Sequence, residues 1–126
     1  MTKRCFVPHF SVTTIDGELC PYAELWQKKN LLLVVLPRAR SSDIDSYVSV
    51  LRNHSGELQA TDTTCVITSD RVPGVAFPGV VIADRWGEIT FSAEAGSASE
   101  LPPYDTLIDW LRHIQSRCPE CEGEAR

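Results

Sequence analysis

The sequence predicts an α/β domain with a mixed central sheet, and three segments carry that prediction. Residues 31–36 are a continuous apolar run of leucine and valine, the habit of a strand buried on both faces in the middle of an α/β sheet. Residues 80–91 read as strand, turn and strand, with Gly87 at the positive-φ position that such hairpins want. Residues 103–117 make an amphipathic helix, with Leu107, Trp110, Leu111 and Ile114 on one face and Asp109, Arg112 and Gln115 outward.

The remaining elements follow in chain order. Residues 10–14 alternate apolar and polar, and Asp16-Gly17 supplies a turn, so a short hairpin opens the domain. Residues 21–29 suit one or two helical turns, with Tyr22, Leu25 and Trp26 on one side. After Pro37, the residues Ile44, Val48 and Leu51 fall at helical spacing. Ser42 suits the N-cap, and Asp43 and Asp45 sit in the first turn, where the helix dipole favours acids. This helix is expected to reach Asn53 and to resume after Ser55-Gly56 as far as Ala60; a second short strand covers 65–68. The order β-α-β-β-α behind an N-terminal extension predicts a mixed sheet with helices on both faces. Residues 1–117 form the domain and 118–126 a tail.

Composition narrows the function classes. The chain has 126 residues, 43% hydrophobic and 23% charged, near the globular average, so disordered and fibrous classes drop out. A net charge of −5 argues against nucleic acid as partner, because phosphate neutralisation calls for a basic excess. The longest apolar run, 31–36, is far below the roughly 20 residues that cross a bilayer, so no membrane partner is expected. No apolar stretch follows Met1-Thr2-Lys3-Arg4, so the reading is a soluble, cytoplasmic protein without a signal peptide. Cysteines stand at 5, 20, 65, 118 and 121, an odd and scattered set that speaks against a disulfide framework. Only Cys118-Pro119-Glu120-Cys121 is a close pair.

This order, on these residues, resembles the thioredoxin fold and more closely the redoxin branch with the peroxiredoxins of the alkyl hydroperoxide reductase and thiol-specific antioxidant type. Residues 10–17, from Phe10 to the Asp16-Gly17 turn, look like the family's opening F-x-L-x-x-x-x-G. Residues 28–37, ending at Pro37, look like the first core strand leading into the active-site loop. Phe77-Pro78 through Asp84, with Trp86-Gly87-Glu88-Ile89, looks like P-T-T-F-L-I-D-x-x-G-x-I. The resemblance implies a cis peptide at Phe77-Pro78, facing the active site. The C-terminal helix matches in position.

Compared residue by residue, the chain departs from the family at the chemistry. The peroxiredoxin motif P-x-x-x-[TS]-x-x-C falls on Pro37, Ser41 and Ile44, so the proline and hydroxyl are present and isoleucine holds the peroxidatic position. No cysteine lies between Cys20 and Cys65, which also removes a thioredoxin-style pair. Pro78 occupies the place of the family's catalytic arginine. Peroxide reduction needs a thiolate nucleophile, activated at a helix N-terminus beside a cation; that reaction has no nucleophile here. The connection 69–77 is too short for the helix most relatives carry, and its residues 70–74 are expected to cross the sheet end where the active site normally sits.

The candidate sites are therefore two. Cys118 and Cys121 trail the last helix, where the dipole and Glu120, Glu122 and Glu124 all raise thiol pKa. Three readings stay open for them: a reversible dithiol, ligation of a metal, or no chemistry. Zinc needs four ligands, so a metal would recruit Cys5, Cys20, His113 or a second subunit's tail. Around the vestigial loop, Arg38, Arg40, Ser41 and Ser42 at a helix N-terminus make either an anion site or an ordinary cap with solvated arginines. Cys65 reads as a buried small hydrophobe, and His9, His54 and His113 show no mutual spacing for a metal or dyad. No cofactor or resident metal is assigned. The expected partner is a protein or small-molecule thiol, with a non-catalytic binding module and a zinc-stapled homodimer as alternatives.

Overall fold

The computed structural model describes residues 6–38, 41–75, 77–96 and 100–116. Cys5, Arg40, Cys118 and Cys121 lie outside the described residues, as does the whole tail. The elements are β1 (Ser11–Thr13), β2 (Leu19–Pro21), a 3-10 turn (Tyr22–Glu24), β3 (Asn30–Val35), α1 (Ser42–Asn53), α2 (Ser55–Ala60), β4 (Thr63–Thr68), β5 (Gly79–Ala83), β6 (Ile89–Glu94) and α3 (Tyr104–Ser116). Four strands form the main sheet in the order β4-β3-β5-β6, and β1-β2 form the separate hairpin. Strand β3 runs parallel to β4 and antiparallel to β5, which is antiparallel to β6. The sheet is mixed, as the sequence predicts.

Strand β3 is buried along its whole length, and its alternating side chains build two cores. Leu32, Val34 and Leu36 pack with Leu51 and Leu58 of the first two helices and with Leu107, Leu111 and Ile114 of α3. Leu31, Leu33 and Val35 point the other way, against Phe10, Val12 and Tyr22 of the hairpin region and Val72 of the β4–β5 connection. The helices are thus unevenly divided. Among the described residues, α1, α2 and α3 cover one face, and the second face has the hairpin and the 3-10 turn at Tyr22–Glu24. The short β4–β5 connection explains this, since nine residues between Thr68 and Pro78 leave no room for a helix beneath that face.

Local chemistry sets the turns. Gly17 takes φ +89° where the hairpin reverses, closed by Thr14 N–H donating to the carbonyl of Glu18 at 2.8 Å. Between β5 and β6, one carboxylate oxygen of the buried Asp84 accepts from the backbone N–H of Trp86 (2.9 Å) and of Glu88 (3.0 Å), and Gly87 adopts φ +85°. The Phe77–Pro78 peptide is cis.

Two poles of the sheet matter for function. At one, β3 ends at Val35 and leads through Leu36 and Pro37 to the start of α1. At the other, the foot, the buried Asn30 side-chain amide donates both to the carbonyl of Thr61 (3.0 Å) and to Gln115 Oε1 (3.3 Å). The C-terminal end of α3 therefore sits beside the foot of β3 and β4, at the opposite pole from α1's first turn.

Candidate functional site

Ser41 has extended backbone (φ −150°, ψ 163°), and its hydroxyl accepts from the Ile44 N–H at 3.2 Å. The cap is therefore Ser41 and not Ser42, which becomes the first helical residue. Two adjacent serines are equivalent candidates for the cap in sequence; the extended backbone of the first decides between them. Asp43 and Asp45 occupy the first turn as expected.

Ile44 is half-buried against the helical core and lines an open groove of about 640 Å³ together with Pro37, Arg38 and Val48. Thr13, Thr14 and Asp16 of the hairpin form the facing wall, and Ser69 and Asp70 of the β4–β5 connection close one end. So the structure brings Pro37, Arg38 and Ile44 into one groove, with Ser41 and Ser42 at the adjoining helix start. Pro78 is buried at the same pole, one residue beyond Gly79, which pairs with Val35. It is not part of the groove wall, and its carbonyl accepts from Ala95 N–H at 3.2 Å.

Asp70 organises this pole, and nothing in the sequence pattern singles it out for that role. One of its oxygens accepts from Thr13 N–H (2.7 Å) and the other from Arg38 (3.3 Å). Its own N–H donates to the Thr68 hydroxyl (3.0 Å), which in turn donates to the Thr13 carbonyl (2.7 Å). Arg52 of α1 pairs with Asp16 of the hairpin turn. Among the described residues both groove cations are thus matched by carboxylates, and Asp45 adds a third acid. A free anion at Arg38 or Arg52 would have to displace an aspartate.

The thiols among the described residues are poor nucleophiles. Cys65 packs against the helical core, and burial pushes its thiol up to about 12. Cys20 is also raised, chiefly by burial and further by the charges of Glu24 and Glu18. Both are protonated at neutral pH, and neither lies in the groove beside Ile44. His54 stacks on Tyr104 at 4.0 Å, and its Nδ1 lies 2.8 Å from the Val50 carbonyl. His9 packs edge-on against Tyr22 and Trp26, and His113 against Trp110. Of the aromatic residues expected in the core, Tyr22 is fully buried, whereas Trp26 is 38% exposed and Trp110 half-buried on Phe91. Among the described residues no group of three His, Cys, Asp or Glu side chains stands in metal-binding geometry. Among the described residues no helix is long and apolar enough to cross a membrane.

No protein-family model matches the chain, and no curated protein matches it in sequence. Solved structures do match in shape. The reduced 2-Cys peroxiredoxin of Plasmodium vivax superposes with a TM-score of 0.73 over 87% of this chain and 80% of that one, at 13% identity. AhpC of Mycobacterium tuberculosis gives 0.67 over 95% and 97%, also at 13% identity. A peroxiredoxin-like protein from Aquifex aeolicus gives 0.59 over 90% and 88%, at 11% identity. The fold is the thioredoxin-like fold of these peroxiredoxins, a central mixed sheet flanked by helices.

Proposed function

We propose that the chain is a divergent redoxin that does not reduce peroxides in the usual way, and that any thiol–disulfide exchange it performs runs through Cys118 and Cys121. The observation that carries the first part is Ile44, an alkyl side chain in the first turn of α1, where the family motif has its cysteine. Cys20 and Cys65 offer no substitute, since burial holds both thiols protonated. The second part follows by chemistry from the sequence: Cys118-Pro119-Glu120-Cys121 is the one pair close enough to attack and resolve. One thiolate attacks a partner disulfide, forming a mixed disulfide and releasing a partner thiolate. The second thiolate attacks the mixed disulfide, releasing the other partner thiolate and leaving Cys118–Cys121 oxidised. A protein or small-molecule thiol restores the reduced pair. No cofactor takes part.

Insulin reduction with a dithiol reductant tests this reading, on the full chain and on a Cys118→Ser variant. Loss of turnover in the variant supports the pair as the working dithiol; unchanged turnover removes it. Hydrogen peroxide consumption is expected at background in both proteins.

A second reading is a non-catalytic module that binds at the vestigial site around Pro37, Arg38, Arg40, Ser41, Ser42, Ile44 and Pro78. The groove beside Ile44 favours it, and the Arg38–Asp70 and Arg52–Asp16 pairs favour a peptide carrying both charges over a simple anion. A native mass that shows zinc in a dimer would instead support tails stapled by metal.

A further inference from the structure

Strand β4 is an edge strand of the main sheet, and among the described residues only part of its outer edge is covered. Asp62 and Thr68 turn their carbonyls toward β3, to the N–H groups of Asn30 (2.9 Å) and Leu36 (2.8 Å). Alternate residues of a parallel strand face the same neighbour, so Thr64 and Val66 face β3 as well. Thr63, Cys65 and Ile67 therefore direct their N–H and C=O groups outward. Both ends of this outer edge are engaged. At the upper end, Ile15 N–H donates to the outward carbonyl of Ile67 at 2.9 Å. At the foot, Thr61 N–H donates to the carbonyls of Leu58 (3.1 Å) and Glu57 (3.2 Å), and the Thr61 carbonyl accepts from the Asn30 amide. Between these ends, no backbone hydrogen bond among the described residues reaches the outward groups of Thr63 or Cys65. Both residues line a second groove, of about 580 Å³, whose walls include Leu51, Leu58 and Leu19, the last 71% exposed.

We propose that β4 of a second copy of this chain occupies the edge, paired antiparallel about a two-fold axis at Thr64. The open groups select the register. In an antiparallel pair, opposed residues that exchange both backbone hydrogen bonds alternate with opposed residues that exchange none. Setting Thr63 opposite Cys65 of the second copy, and Cys65 opposite its Thr63, engages every open group of these residues in both copies. A slip that opposed the two Cys65 residues would bring Thr63 against the Ile67 carbonyl, which Ile15 already holds. A slip that opposed the two Thr63 residues would bring Cys65 against Thr61, whose groups are spent on α2 and Asn30. Charge agrees with the orientation. At the foot, Lys29 (3.7 Å) and Arg85 (3.4 Å) share the carboxylate of Asp62. At the hairpin turn, Asp16 and Glu18 line the groove with Arg52, which pairs with Asp16. Among the described residues, the foot thus has a surplus cation and the turn a surplus acid, and antiparallel pairing brings each beside the other at both ends. The pairing consumes the open edge of both copies, so it closes at two. It also covers an edge of sequence Thr-Thr-Cys-Val-Ile-Thr, which without charge or proline is an aggregation hazard when exposed.

The pairing is independent of the dithiol reading, and reductant and chelator in the test keep disulfides and metal from linking copies. Native mass and amide hydrogen exchange are measured on the full chain from low micromolar to near millimolar concentration. The same measurements are made on Thr64→Lys and Thr64→Glu variants, separately and mixed. Thr64 is half-buried and meets its own equivalent across the axis, where like charges directly opposite weaken a strand pair. The expected result for the parent is a dimer, with exchange at the Thr63 and Cys65 amides slowed roughly tenfold or more as it forms. Val66, whose N–H faces β3 within each copy, keeps its rate. Each variant alone should stay monomeric with those two amides fast, and an equimolar mixture should restore a heterodimer and the protection. A parent that stays monomeric over this range, or that dimerises with Thr63 and Cys65 unchanged, would overturn the proposal. Variants that dimerise alone as well as the parent would overturn it, and so would protection at Thr63 and Cys65 that does not depend on concentration.

Discussion

The two poles of the sheet are built from similar parts and put to different use. At the α1 pole, Pro37, the Ser41 cap and the first turn of α1 make a helix start of the kind that stabilises a thiolate, yet the side chain presented there is Ile44. The polar groups around it are spent on one another, through Asp70, Thr13 and Arg38 and through Arg52 and Asp16. At the foot, the Asn30 side chain joins Gln115 near the end of α3 to the Thr61 carbonyl, two residues before β4. The contrast teaches that a helix start can be held in place by ion pairs and a serine cap around an alkyl side chain.

The contrast can be broken or sharpened by substitution. The largest effect is expected from Leu107→Ala, because Leu107 is fully buried in the helical core between the poles. It should cost about 2–5 kcal/mol and loosen both ends together in denaturant unfolding; loss at one pole only would mean that the poles are not mechanically joined through the core. Asp70→Ala should cost about 1–3 kcal/mol and act on one pole. Exchange at the Thr13 amide should quicken while Asn30 and Thr63 stay as they were.

The smallest effect should be seen at Glu57 of α2, whose carboxylate is bonded to Tyr104 and to Arg112 of α3. The Tyr104 hydroxyl chiefly, with the Arg112 charge, holds that carboxyl below its usual range. A depressed folded pKa adds stability that is present above the unfolded value, about 4.3 for a glutamate, and lost as pH falls through the folded one. The melting-temperature difference between the parent and Glu57→Gln should therefore be largest near neutral pH and fade in acid. A difference independent of pH would assign the effect to shape and not to charge.

Much of the fold was legible because it rests on local pattern. The apolar run 31–36, the helical spacing of Ile44, Val48 and Leu51, and the Gly87 turn each announce their element within a few residues. The bounds slipped where local signals tie: Ser41 against Ser42 at the cap, and Thr63, where β4 begins two residues before the apolar stretch does. The groove was hidden for another reason. Asp70 meets Thr13 across 57 positions, and Asn30 meets Gln115 across 85, so neither contact leaves a trace in periodicity. The reading of Ile44 rests on the family resemblance alone, and the pairing of Arg38 with Asp70 requires the folded β4–β5 connection.

The most direct test of the account is the intact mass of the full chain after mild oxidation, followed by peptide mapping. The account predicts a loss of about two mass units, reversed by reductant, with the new bond mapped to Cys118–Cys121 while Cys20 and Cys65 stay reduced. A chain that keeps all five thiols reduced, or that forms its disulfide through Cys20 or Cys65, would contradict it.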